Sequence, residues 1–256
     1  MGKAWADGPF KLIETPNKAR HEKGEEETGS SHAATEMALV HNVLIRVLNA
    51  FYLQAKNIDA NNKKDVEDFV GFMSSWSLTL HAHHDSEEEV AYPLLNKYIG
   101  IENYMEPNID QHRAFGPGLQ AFDEYLQSVK EGKEKYDVVK VQKLVDGFAP
   151  ILVSHLTDEV NFISGLEKYE DKIDWKTYEK VIGDHAVKGG NTEFEVPLMA
   201  TNIDLTFEKG LHEKHWPPWP WFAGLMFRLV FIPKHKGYWR FSTCDSKGMP
   251  KELPFA

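Results

Sequence analysis

Apolar residues recur at three- and four-residue steps through four long stretches of this chain, the period of an amphipathic helix. The first stretch, about residues 31–56, carries Met37, Val40, Leu44, Leu48, Phe51 and Ala55. The second, about 63–98, begins at the polar Asn61-Asn62 pair and stops before Gly100. Its stripe includes Leu80, Ala91 and Leu95, and Pro93 is expected to kink its last turns. The third, about 107–131, carries Ile109, Phe115, Leu119, Phe122, Leu126 and Val129; it should bend at Pro117 and stop near Gly132. The fourth, about 136–169, carries Val145, Phe148, Leu152, Phe162 and Leu166, with Pro150 as a further expected kink. No alternating strand pattern of any length precedes residue 190. Short connections make successive helices antiparallel. The pattern therefore predicts an all-α fold, an up-down-up-down four-helix bundle over residues 31–170.

The flanks read differently. Residues 1–30 are polar, contain the run Glu25-Glu26-Glu27, and predict an arm or partly ordered leader. Residues 171–256 predict a C-terminal extension packed on the bundle. Within it Asp174 is placed to cap a fifth helix, about 175–188, ending near Gly189-Gly190. Tryptophan and proline then become frequent, from Trp216-Pro-Pro-Trp219 to Trp221. The apolar run Phe222 to Ile232 contains Arg228 and is too short for a membrane span. It predicts a helix docked on the bundle, with a membrane-surface or partner-binding segment as the other reading. Trp239, Phe241, Pro250, Pro254 and Phe255 predict a tail wrapped over the same surface.

Composition narrows the partners. A net charge of -10 argues against a nucleic-acid surface and, more weakly, against anionic membranes. Cys244 is the one cysteine, so no internal disulfide can form and a reducing, cytoplasmic setting fits. The first twenty residues lack the apolar core of a signal peptide. Met1-Gly2 is not followed by the Ser or Thr of a myristoylation site, since position 6 is Ala.

Chemistry enters with the polar residues that interrupt the stripes. His84 precedes Glu88 by four residues, and His155 precedes Glu159 by four. Each pair shares one face of its helix. A carboxylate aimed into an apolar core is costly unless it is paired or bound to a metal. His41 lies on the first stripe and His112 on the third, so each helix brings one histidine to the core. The set His41, His84, Glu88, His112, His155 and Glu159 predicts a two-metal centre built from facing helices. Imidazole with carboxylate suits iron, manganese or zinc, and the lack of thiolates disfavours copper(I) or an iron–sulfur cluster. The Glu-x-x-His of ferritin-like proteins is absent. His83 and Glu87 are also four apart but lie about 100° around the helix from the other pair, toward its flank. His81 reads as a bundle-edge residue, with support of the ligands as its alternative. His212 and His215 read as surface residues, and His21, His32, His185 and His235 as solvated.

This pattern resembles the hemerythrin-like, or HHE cation-binding, family. The resemblance runs through His41-Asn42, His83-His84-Asp-Ser-Glu87-Glu88-Glu89 with Tyr92-Pro93, Gln111-His112, and His155 with Glu159. The Trp216-Pro-Pro-Trp-Pro and Gly237-Tyr-Trp-Arg-Phe segments look like the tail of fungal members. The family's proline, nine after its ligand histidine, matches Pro93 and selects His84. The resemblance implies two non-haem irons, with manganese or zinc as alternatives. His41 and His84 would hold one, His112 and His155 the other, and Glu88 and Glu159 would bridge them. Two ferrous ions with two carboxylates leave a net positive charge, which favours a bridging hydroxide, oxide or peroxide.

Two positions depart from the oxygen-carrying members. The second histidine expected four after His112 is Gly116, and the carboxylate expected five after His155 is Val160, so that Glu159 must serve. Losing a nitrogen at 116 would leave positions open for water or substrate, the mark of a catalytic metal site. The expected function is a di-iron oxidase or oxygenase acting with O2 or peroxide and a small-molecule substrate. The alternative is a non-catalytic protein that binds or senses O2, nitric oxide or iron. Gly116-Pro-Gly118 lies inside a helical stretch and follows no strand, so it is no dinucleotide motif.

Overall fold

The computed structural model describes residues 5–219 and 222–256; Met1-Gly2 and the Pro220-Trp221 end of the tryptophan-proline run lie outside the described residues. The polar N-terminal region contains a short helix, α1 (Pro16–Lys23), started by the Thr15 side chain and closed by Gly24 in the left-handed region. α2 (Gly29–Gln54) opens with a capping box: Thr28 accepts from the Ser31 amide, and the Ser31 hydroxyl accepts from the Thr28 amide. α3 (Lys63–Ser86) starts at Asn62, whose side chain accepts from the Asp65 amide. It passes through a π-helical turn, Glu87–Ala91, into α4 (Tyr92–Ile99), which Gly100 closes. α5 (Glu106–Lys130) runs on through Pro117, and α6 (Val138–Ser164), capped by Asp137, runs on through Pro150. α6 packs on α2 and α5, and α3 packs on α5. Trp76, Phe51, Phe122 and Phe148 fill the middle of this bundle and are fully buried. Among the described residues there is no strand, only an isolated bridge from Cys244 to Pro250.

The expected kink at Pro93 takes the form of a wide turn. Tyr92 N–H reaches back to the Glu87 carbonyl, five residues earlier. Pro93, with no N–H to offer, stands just beyond it at the start of α4.

The extension is held on the bundle by burial and by hydrogen bonds. α7 (Trp175–Gly189) is capped by Asp174, as its sequence predicts, and buries Trp175 and Tyr178. α8 (Glu195–Ala200) packs on α3. Trp239, Phe241 and Leu253 join the main core, where the Gln54 side chain donates to the Phe241 carbonyl at 2.9 Å. Gly71 on α3 permits this docking, because a Cβ there would lie 2.2 Å from the Tyr238 ring. Gly71→Ala is expected to destabilise the protein by about 1–2 kcal/mol in denaturant unfolding, the overpacking cost exceeding alanine's helix preference. An unchanged midpoint would mean that the tail does not seat on α3.

The N-terminal segment is also fixed, against the expectation of a loose arm. Asn42 and Asn49 lie two turns apart on α2 and are fully buried. Asn42 accepts from the Ile13 amide at 2.7 Å and donates to the Ile13 carbonyl at 2.8 Å. Asn49 accepts from the Phe10 amide at 2.9 Å and donates to the carbonyls of Phe10 and Ala6. Each side-chain amide thus satisfies main-chain groups that no secondary structure serves.

Candidate metal centre

Four helices and one wide turn bring a set of buried imidazoles and carboxylates to one end of the bundle. His41 comes from α2, His83 and His84 from the end of α3, and Glu87 opens the π-helical turn. His112 comes from α5, and His155 and Glu159 from α6. His41, His155 and Glu159 have no exposed surface, and Glu87 is 3% exposed.

The outer nitrogens of three histidines are engaged by oxygens. His41 Nδ1 lies 2.8 Å from the Leu156 carbonyl, His155 Nδ1 3.0 Å from Gln111 Oε1, and His112 Nδ1 2.6 Å from Glu88 Oε1. A carbonyl or carboxylate oxygen only accepts here, so each Nδ1 carries a proton, and in the neutral form of the ring Nε2 presents a lone pair. Those Nε2 atoms point inward. His112 Nε2 and His155 Nε2 stand 2.9 Å apart, two lone pairs facing each other, an arrangement that calls for a shared proton or a cation. His84 Nε2 and Glu159 Oε2 are buried without a hydrogen-bond partner, and Glu87 Oε1, with the His83 ring beside it, has no well-directed one. Unsatisfied buried groups of this kind are rare and mark a missing ion, water or catalytic role. The residues present therefore fit a bound cation.

Two groups of potential donors share one carboxylate. Nδ1 or Nε2 atoms of His84, His112 and His155 and an oxygen of Glu87 lie within 4.8 Å of one another, and so do those of His41, His83 and Glu87. His83 Nε2 is 2.9 Å from both His41 Nε2 and Glu87 Oε1. On the other side Glu87 Oε2 is 3.6 Å from His112 Nε2. Glu159 Oε2 stands 3.4 Å from His41 Nε2 and 3.9 Å from His155 Nε2, between the groups.

Electrostatics favour the ligand forms. Burial lowers His41 and His84 from the ordinary imidazole range, and burial with His112 nearby lowers His155 to about 3, so these rings are neutral. Burial alone would raise Glu87, but the facing His83, with His41 and His84, holds it well below the carboxylate range. Burial and the charge of Glu87 push Glu159 well above it. Two buried carboxylates without a cation cannot both ionise cheaply. Tyr92, also raised by burial and by Glu159, donates to Glu159 Oε1 at 2.7 Å. Tyr92→Phe is expected to cost the metal-free protein about 1–3 kcal/mol by leaving a buried carboxylate oxygen unpartnered. An unchanged denaturation midpoint would show that this bond contributes nothing.

The structure brings together five of the six residues expected at the centre: His41, His84, His112, His155 and Glu159. Glu88 is corrected. Its side chain is 42% exposed and supports His112 from outside, while Glu87 takes the inner position. The steps 84-87-91-95 are as helical as 84-88-91-95, so periodicity does not decide between them. The π-helical turn does, turning Glu88 and Glu89 to solvent while keeping Glu87 and Ala91 buried. His83, read from sequence as a flank residue, joins the centre with Glu87; the shared four-residue spacing of that pair was the available signal. Gly116 supplies no donor, and a Cβ there would meet nothing within 4 Å. His84 stands with His112 and His155 as a third imidazole, from α3 and not from α5. His81, 52% exposed and 2.8 Å from Asp123, is a bundle-edge residue.

Residues 32–161 match the family model described as the hemerythrin HHE cation-binding domain. The whole chain is similar to the dimeric xanthone biosynthesis cluster protein R11 of Cryptosporiopsis sp. (strain 8999). The two are 35% identical over 258 residues, covering 99% of this chain and 94% of that protein. No solved structure matches.

Proposed function

The chain belongs to the hemerythrin HHE cation-binding family, and from that premise we propose that its core holds two iron ions and uses O2 or peroxide to oxidise a small molecule. One observation carries the metal reading: Nε2 atoms of oriented histidines converge beside carboxylate oxygens that lack a well-directed partner in a buried core. His84, His112 and His155 would hold one ion and His41 and His83 the other, with Glu87 shared and Glu159 placed between them. This pairing differs from the one the resemblance implied, since His84 sits with His112 and His155. When bound, the irons supply redox chemistry with O2 or peroxide. The chain's own residues orient the ligands through Leu156, Gln111 and Glu88 and hold a phenol proton on Glu159 through Tyr92.

The nitrogen count is uneven, three imidazoles on one side and two on the other. The position open to a small oxidant would thus lie on the His41–His83 side, where His83 retains 15% exposure. The similarity to a protein of a dimeric xanthone biosynthesis cluster supports a role in the chemistry of small molecules. The second reading, a non-catalytic binder or sensor of O2, nitric oxide or iron, draws on the same buried centre.

Anaerobic titration with ferrous ion, followed by O2 under optical recording, separates these readings. Two equivalents per chain and a charge-transfer band that decays only with an oxidisable co-substrate support the oxidase. A band that reverses on deoxygenation supports the binder. Failure to retain iron rejects both.

A further inference from the structure

The segment after the tryptophan-proline run has two apolar faces, and the fold uses one. Residues 223–235 form consecutive helical turns, beginning with α9 (Ala223–Met226). Ala223 and Phe227 are buried with Ala200 of α8, and Trp219, Phe231 and Ile232 pack around them. The opposite side carries Leu225, Met226, Leu229 and Val230, exposed by 52%, 42%, 68% and 41%. Twelve large hydrophobic residues are strongly exposed among the described residues, and five of them lie between Phe222 and Val230. Single exposed apolar residues are ordinary, but a cluster of this kind marks an interaction surface.

Charge selects the partner. The chain carries -10 overall, yet between Glu213 and Asp245 it has no Asp or Glu and five Lys or Arg. Arg240 pairs with Asp65. Lys214, Arg228, Lys234 and Lys236 are exposed, and none forms an ion pair among the described residues. A short helix with an unburied apolar face, flanked by exposed cations, is suited to lie in the interface of a negatively charged bilayer.

We propose that residues 222–236 dock this protein on an anionic phospholipid bilayer, lying in the interface without crossing it. Among the described residues no helix is long and apolar enough to cross a membrane. Leu225, Met226, Leu229 and Val230 enter the acyl boundary, and Arg228, Lys234 and Lys236 meet the headgroups. The remaining negative charge of the protein favours an orientation with the metal-binding bundle held off the surface.

Co-sedimentation of the full chain with phosphatidylcholine vesicles, with and without phosphatidylserine, tests this. Binding is expected only with phosphatidylserine and should weaken as salt is raised. Leu225→Glu with Leu229→Glu should abolish it, with an unchanged circular dichroism spectrum. Lys234→Gln with Lys236→Gln changes no apolar contact and should weaken binding by about thirtyfold, each cation near such a surface contributing about fivefold. Equal binding to neutral vesicles, or full binding by the lysine variant, would overturn the proposal. So would absence of vesicle binding together with a dimer that the leucine variant loses, since the face would then be covered by a second copy.

Discussion

Glu87→Ala is expected to leave the protein with little or no iron after reconstitution, whereas Glu88→Ala is expected to retain iron and bind it more weakly. Glu87 is the one residue common to both donor groups, so its loss removes a ligand from each. It also leaves neighbouring imidazoles without the negative charge that favours cation capture. Glu88 touches the outer nitrogen of His112, and loss of such an outer partner lowers metal affinity by about 10–100-fold. Metal analysis after reconstitution, with competition by a chelator, reads both effects. Equal iron content in the two variants, or a larger loss in Glu88→Ala, would reject the central place of Glu87. Glu87→Gln separates charge from shape: it fills the same volume and is expected to fail as well.

The second large effect concerns adjacent residues of one helix. His83 and His84 both point inward but belong to different donor groups. His84→Ala is expected to remove the ion proposed to lie with His112 and His155, and His83→Ala the ion proposed to lie with His41. Each variant should retain about one equivalent in place of two, and the two should differ in optical spectrum. Thermal stability should fall in the iron-loaded forms more than in the metal-free ones, since ligation stabilises only the folded state. Two equivalents retained in both variants would rule out the assignment.

Much of this arrangement was legible before the structure. The helical periods located the four long helices because their buried stripes are nearly continuous, from Leu44 and Leu48 to Phe148 and Leu152. Histidines on those stripes pointed to the core because nothing else on an apolar face accounts for one per helix. Three features were not legible. The π-helical turn arises from one extra residue per turn near Pro93, and apolar spacing does not register where the extra residue falls. The choice between Glu87 and Glu88 followed from that turn. The place of His83 depended on α2 approaching α3 closely enough for His41 to face it, a tertiary fact without a local signature. The N-terminal segment was read as loose because its polar composition says nothing of partners on another element.

The two asparagines of α2 that hold that segment have a kinetic consequence. Hydrogen exchange along residues 5–14 should be uneven, with slow amides at Phe10 and Ile13 isolated among faster neighbours. Those two protons can leave only when the segment lifts from the α2 side chains. Because Asn42 directly follows His41, their exchange rates report on the turn of helix that carries a candidate ligand. Loading the core with metal would then slow two amides that touch no ligand atom, and the N-terminus would become a remote gauge of whether the centre is filled.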